Sequence, residues 1–101
     1  MKVRVKDEYL GMLVANKNKG KQKYPEEVEV AFKKRISQIK YVQDSQELRQ
    51  IKSLHFEKLK EKRYSGYYSI RINKSYRMIF GLTKNNGLEV MDIEEINNHY
   101  T

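Results

Sequence analysis

The sequence predicts an α+β domain in which helices cover one face of an antiparallel sheet, and three observations carry that prediction. Apolar residues recur at helical spacing between positions 28 and 42, the period changes to two after Gly66, and Asn86-Gly87 separates two alternating segments. A chain of 101 residues is one domain's worth, so residues 1–101 are expected to share a single core.

Each element has its own signal. Val3 and Val5 alternate with Lys2 and Arg4, the pattern of a first strand with one buried face. Asp7 can cap a short helix bearing Leu10, Leu13 and Val14, and the run from Asn16 to Lys23, rich in lysine, reads as a solvated loop. Pro25, suited to the first helical position, and Glu26 and Glu27, which oppose the positive end of the helix dipole, start a longer helix. Its buried stripe is Val28, Phe32, Ile36, Ile39 and Val42, with Lys33, Lys34, Arg35 and Lys40 elsewhere. Asp44 with Glu47 forms a capping box for a second, short helix carrying Leu48, Ile51 and Leu54, so the two helices make a hairpin. Tyr68, Ile70 and Ile72 then alternate with Ser69, Arg71 and Asn73. Past Asn73-Lys74-Ser75, Tyr76, Met78, Phe80 and Leu82 alternate with Arg77, Ile79 and Gly81. Gly66, Gly81 and Gly87 read as hairpin glycines, and the last strand runs from Leu88 to Ile93. The first strand must pair non-locally, and the other sheet face stays open.

Charge narrows the function. Lys and Arg number 21 against 13 Asp and Glu, a formal net charge of +8, so the surface seeks polyanions. All the basic residues precede position 85, and residues 85–101 carry only Glu89, Asp92, Glu94 and Glu95. A polybasic disordered peptide is excluded by 39% hydrophobic content with eight Tyr and three Phe. With no cysteine there is no disulfide scaffold, thiol nucleophile or Cys-based zinc site. His55 and His99 are far apart in sequence, no carboxylates sit beside them at ligand spacing, and no glycine-rich phosphate loop is present. No metal and no cofactor are therefore expected. The longest apolar run, Met12 to Ala15, is too short for a membrane span, and no signal-peptide core follows the basic start. The expectation is a soluble, cytoplasmic protein with no membrane partner.

The open sheet face is the place for chemistry. Ser69, Arg71 and Asn73 share it with Arg77, and Lys58, Lys60, Lys62, Arg63 and Tyr64 precede the hairpin. Guanidinium groups bind phosphate oxygens two-pronged and lysines add point charge, so this face suits a phosphodiester backbone; an ordinary solvated face is the alternative. His99 and Tyr100 follow the last strand, near Glu94 and Glu95. Cleavage of RNA by its own 2′-hydroxyl needs a base, cations at the phosphorane and an acid, roles that His, Arg and Tyr can fill.

The string Tyr68-Ser69-Ile70-Arg71-Ile72-Asn73-Lys74-Ser75-Tyr76-Arg77-Met78-Ile79-Phe80 resembles the central hairpin of the RelE/ParE superfamily, closest to its HigB branch. The first strand, the lysine-rich loop before a Pro-started helix, and Leu54-His55-Phe56-Glu57-Lys58-Leu59-Lys60 extend the likeness over nearly the whole chain. It implies a RelE-like fold: a three- to four-stranded antiparallel sheet, order β-α-α-β-β-β, with a short extra N-terminal helix. It implies a toxin of a type II toxin-antitoxin module that enters the ribosomal A site and cuts mRNA by metal-free 2′-hydroxyl attack. Its partners would be the ribosome, mRNA and a cognate antitoxin in a hetero-oligomer. A ParE-like gyrase inhibitor, or an inactive nucleic-acid-binding relative, is the alternative.

Carried over by position, Arg71 and Arg77 would stabilise the cleaved phosphate and Lys58 and Lys60 would hold RNA; Lys62, Arg63, Ser69 and Asn73, read from the same loop and sheet face, are expected to bind RNA beside them. The family's acidic-aromatic-histidine end cluster matches this chain in two registers. One brings Asp92 and Glu95 to the site; the other, which is preferred, brings His99 and Tyr100 there from a short terminal helix. His55 reads as a structural or surface residue.

Overall fold

Local chemistry sets the helices. A computed structural model describes residues 1–18 and 20–98. After β1 (Lys2–Val5), the Asp7 carboxylate accepts the Leu10 amide at 2.9 Å and starts α1 (Glu8–Val14). Pro25 is the N-cap rather than the first helical residue of α2 (Glu26–Tyr41); its carbonyl accepts the Val28 and Glu29 amides at 3.0 and 3.1 Å. Asp44 caps α3 (Ser45–Arg49) by accepting the Glu47 amide at 2.9 Å, and Glu47 reaches back to the Gln43 amide at 2.6 Å. The reciprocal pair is thus one residue wider than a capping box proper. The whole predicted stripe of α2, from Val28 to Val42, is buried, with Leu10, Leu48, Ile70, Phe80 and Ile93 in the same core.

The sheet differs from the expected three or four antiparallel strands. Among the described residues it has five, in the order β1-β5-β4-β3-β2, with β2 (Glu57–Lys58), β3 (Tyr68–Arg71), β4 (Tyr76–Asn85) and β5 (Leu88–Asn98). β1 runs parallel to β5 and every other pair is antiparallel. Two hairpins fix the direction of β5, whereas β1 is joined to its neighbour only through the rest of the chain, which a parallel pair requires. β2 pairs through only Glu57↔Ser69 and Lys58↔Tyr68, too short to leave an alternation in the sequence. Asn86 and Gly87 both take positive φ, 54° and 81°, as the predicted β4–β5 turn demands.

Two expectations about β4 and β5 are corrected. Residues 94–98 are not a helix; they continue β5, pairing opposite residues 76–79. A bulge makes this work: Ile79 pairs with Glu95 and Phe80 with Ile93, leaving Glu94 as the extra residue. Ile93 and Ile96, three positions apart, therefore both enter the core, which is why this stretch looks helical in sequence. Gly81 is not a hairpin glycine. It lies in mid-β4, where a Cβ would come within 3.2 Å of the Tyr67 ring laid over it.

Candidate functional site

Alternation along β3, β4 and β5 puts Ser69, Arg71, Arg77, Ile79, Glu95 and Asn97 on the face away from α2. The register then sets them in two rows: Arg71, Arg77 and Asn97 directly across from one another, and Ser69, Ile79 and Glu95 beside them. Arg71 and Arg77 thus share one surface with residues 94–98 at the end of β5.

Arg77 is the centre of the site and is only 9% exposed. Its Nε donates to Ser69 Oγ at 2.9 Å, its Nη2 donates to the His55 carbonyl at 2.6 Å, and Glu57 lies 3.9 Å away. His55 is left-handed, φ 47°, and its carbonyl meets the guanidinium, so its contribution comes through the backbone. Burial pulls Arg77 below the usual arginine range; Glu57 opposes that shift and the neighbouring Arg71 charge adds to it. An arginine retains its charge through such a shift, so the site holds a desolvated cation with a second cation across the ladder. Arg71 is half-buried, its backbone carbonyl accepts from Arg35 Nε of α2 at 3.1 Å, and among the described residues its side chain makes no hydrogen bond or ion pair.

A cleft of about 340 Å³ opens beside Arg77, lined by Leu59, Glu61, Arg63, Tyr64, Ser69, Ile79, Asn97 and Asn98. The segment between β2 and β3 forms its outer wall. There the Tyr64 hydroxyl donates to Glu95 Oε2 at 2.9 Å, and Asn97 Nδ2 reaches both the Tyr64 hydroxyl (3.4 Å) and Glu95 Oε2 (3.2 Å). Arg63 lies over the Tyr64 ring, 4.8 Å from its centroid. Burial, with the bond to Glu95, pushes the Tyr64 phenol up, so it is neutral at physiological pH.

The other predicted residues have different surroundings. Ser69 is buried as the acceptor for Arg77. Asn73 closes the β3–β4 turn: its Oδ1 accepts the Ser75 and Tyr76 amides, both at 2.9 Å. Lys58, Lys60 and Lys62 are exposed around the segment and do not line the cleft. Asp92 shares the face but pairs with Gly81, four residues along β4 from Arg77, or about 13 Å at strand rise. It is 3% exposed and accepts from Arg4 Nε (2.7 Å) and the Thr83 hydroxyl (2.8 Å), clamping β1, β5 and β4 together. Burial pushes the Asp92 carboxyl up, but the Arg4 and Thr83 hydrogen bonds and the Arg4 and Lys6 charges outweigh it and hold it below its ordinary value. His99 and Tyr100 lie outside the described residues.

Sequence reasoning missed Asn97, Glu57 and the His55 carbonyl. Glu95 and Asn97, two positions apart, would share a face with Arg77 only if residues 94–98 were a strand, and that reading was hidden by the bulge. Chemically, the arrangement offers two cations, one buried and one accessible, beside a hydrogen-bonded phenol, carboxylate and amide: a seat for a phosphodiester with proton-transfer groups next to it.

Comparison with known proteins agrees with this architecture. A family model described as HigB-like toxin, a RelE-like toxin of type II toxin-antitoxin system HigB, matches residues 3–99. Among solved structures, a YoeB/ParE toxin from Agrobacterium tumefaciens superposes with a TM-score of 0.57 at 16% identity, covering 99% of this chain and 100% of that one, a likeness of fold. No curated protein matches.

Proposed function

The chain belongs to the HigB-like family of RelE-like toxins of type II toxin-antitoxin systems, and from that premise we propose that it is a ribosome-dependent mRNA endoribonuclease. Its cutting site is the cleft at Arg77, and it acts in the ribosomal A site by 2′-hydroxyl attack on the adjacent phosphate, without a metal. The family implies an antitoxin partner, which holds the toxin silent in a hetero-oligomer until it is released.

The observation that carries this reading is the Arg71–Arg77 cross-strand pair. A pentacoordinate phosphorane carries one more negative charge than the diester it forms from, so cations fixed in place favour it over the bound substrate. Arg77 is held by Ser69, the His55 carbonyl and Glu57 before substrate arrives, so no reorganisation is needed as charge develops. Arg71 is accessible enough to meet the phosphate oxygens directly. The exposed Lys58, Lys60 and Lys62 surround the cleft wall and supply attraction for ribosomal RNA that weakens with salt.

The test is to express the protein and map transcript 5′ ends in translating cells. New ends within codons, lost with Arg77→Ala, are expected. Growth arrest with unchanged transcript ends overturns the nuclease reading, and relaxed supercoiling with a DNA-damage response would replace it by gyrase inhibition.

A further inference from the structure

A 2′-hydroxyl attack requires a group that removes the hydroxyl proton. Resting on the nuclease reading above, we infer that Tyr64 is a catalytic residue that relays this proton to Glu95, with Asn97 as its positioning residue.

Tyr64 and Arg77 line the same cleft, whereas Glu95 sits behind the phenol rather than on the cleft surface. The hydroxyl is fixed on two sides, donating to Glu95 Oε2 at 2.9 Å and accepting from Asn97 Nδ2 at 3.4 Å. Asn97 Nδ2 also reaches Glu95 Oε2 at 3.2 Å, which closes a triangle around the phenol. That triangle leaves Asn97 Oδ1 buried without a partner among the described residues. A buried amide oxygen with no donor is unfavourable, so the orientation of Asn97 serves the hydroxyl and the carboxylate rather than its own hydrogen bonding. A loop anchor alone needs only the Tyr64–Glu95 bond.

The electrostatics select a relay over a standing base. Burial and the bond to Glu95 keep the phenol protonated, while the Arg63 guanidinium over the ring pulls the other way and eases a brief build-up of negative charge. In the step itself, the 2′-hydroxyl proton passes to Tyr64 Oη as the Tyr64 proton passes to Glu95 Oε2. The 2′ oxygen bonds to phosphorus, the bond from phosphorus to the 5′ oxygen breaks, and that oxygen takes a proton from water. The products are a 2′,3′-cyclic phosphate and a 5′-hydroxyl, and Glu95 afterwards returns its proton to solvent.

The experiment compares the parent, Tyr64→Phe and Glu95→Gln in single-turnover cleavage of mRNA on purified translating ribosomes. Affinity is measured separately on ribosomes whose A-site codon carries 2′-deoxyribose and cannot be cut. Glu95→Gln retains an acceptor for the Tyr64 hydroxyl but has no basicity, so it tests the relay even if Tyr64→Phe folds poorly. The expected result for each variant is a single-turnover rate lowered about 100-fold or more, with affinity within threefold of the parent. A parent that cuts while Glu95→Gln cuts within threefold of it overturns the relay and leaves the nuclease reading standing; so does a loss confined to affinity, which makes Tyr64 a loop anchor. A parent that leaves the mRNA uncut overturns both.

Discussion

Asp92→Asn separates structural from chemical roles on the sheet face. Asp92 is 3% exposed and takes hydrogen bonds from Arg4 and Thr83 at 2.7 and 2.8 Å. A hydrogen bond to a charged group is worth about 1.5–3 kcal/mol net. The Arg4 side chain is 52% exposed and regains water when its partner is lost, so the cost belongs near the low end, about 2 kcal/mol. In a domain of this size that lowers Tm by about 8–16 °C. Because the folded carboxyl lies below its unfolded value of 3.8, its stabilisation is fully present above about pH 4 and is lost as pH falls through the folded pKa. The parent should therefore lose stability as the pH falls below about 4 more steeply than Asp92→Asn does. Thermal melts from pH 2 to pH 7 measure both quantities, and ribosomal cleavage per folded molecule should equal the parent's. A Tm within 2 °C of the parent combined with lost cleavage would refute the argument, since it would make Asp92 a chemical group acting from about 13 Å along the strand.

Other perturbations follow from the packing and are read by urea titration. Asp44→Ala removes the acceptor for the Glu47 amide and should cost about 1 kcal/mol without changing cleavage, because α3 lies away from the cleft. Gly87→Ala forces a side chain into φ 81° and should cost about 1–2 kcal/mol at the β4–β5 turn, the sheet end remote from Arg77. Phe80→Ala empties a fully buried ring site packed against Phe56 and Tyr68 and should cost about 3–5 kcal/mol, enough to leave a marginal domain largely unfolded.

What the sequence made legible was local and periodic. The α2 stripe, the Asp7 and Asp44 caps and the Asn86-Gly87 turn each rest on residues within a few positions of one another, and each is present. The hairpin alternation also placed Arg71 and Arg77 on one face. What escaped depends on pairing between distant segments. Glu94 is a bulge only relative to Ile79 and Phe80, so Ile93-Glu94-Glu95-Ile96-Asn97-Asn98, mostly polar and with isoleucines three apart, does not read as strand. Asp92 looks like an active-site carboxylate until Arg4, 88 positions earlier, closes on it. The Asn73 amide oxygen closes the β3–β4 turn by accepting from two turn amides, a structural role the sequence did not show. His55 contributes a carbonyl rather than an imidazole, and its left-handed φ leaves no mark in composition.

The most direct test of the account is the single-turnover cleavage rate of Arg71→Ala on translating ribosomes, with its melting temperature measured in parallel. Among the described residues the Arg71 side chain holds no other group, so the substitution removes the cation across the ladder from Arg77 and little else. The account predicts a rate about 100-fold lower with Tm within 2 °C of the parent. Cleavage within threefold of the parent would mean that the paired arginines do not meet the scissile phosphate.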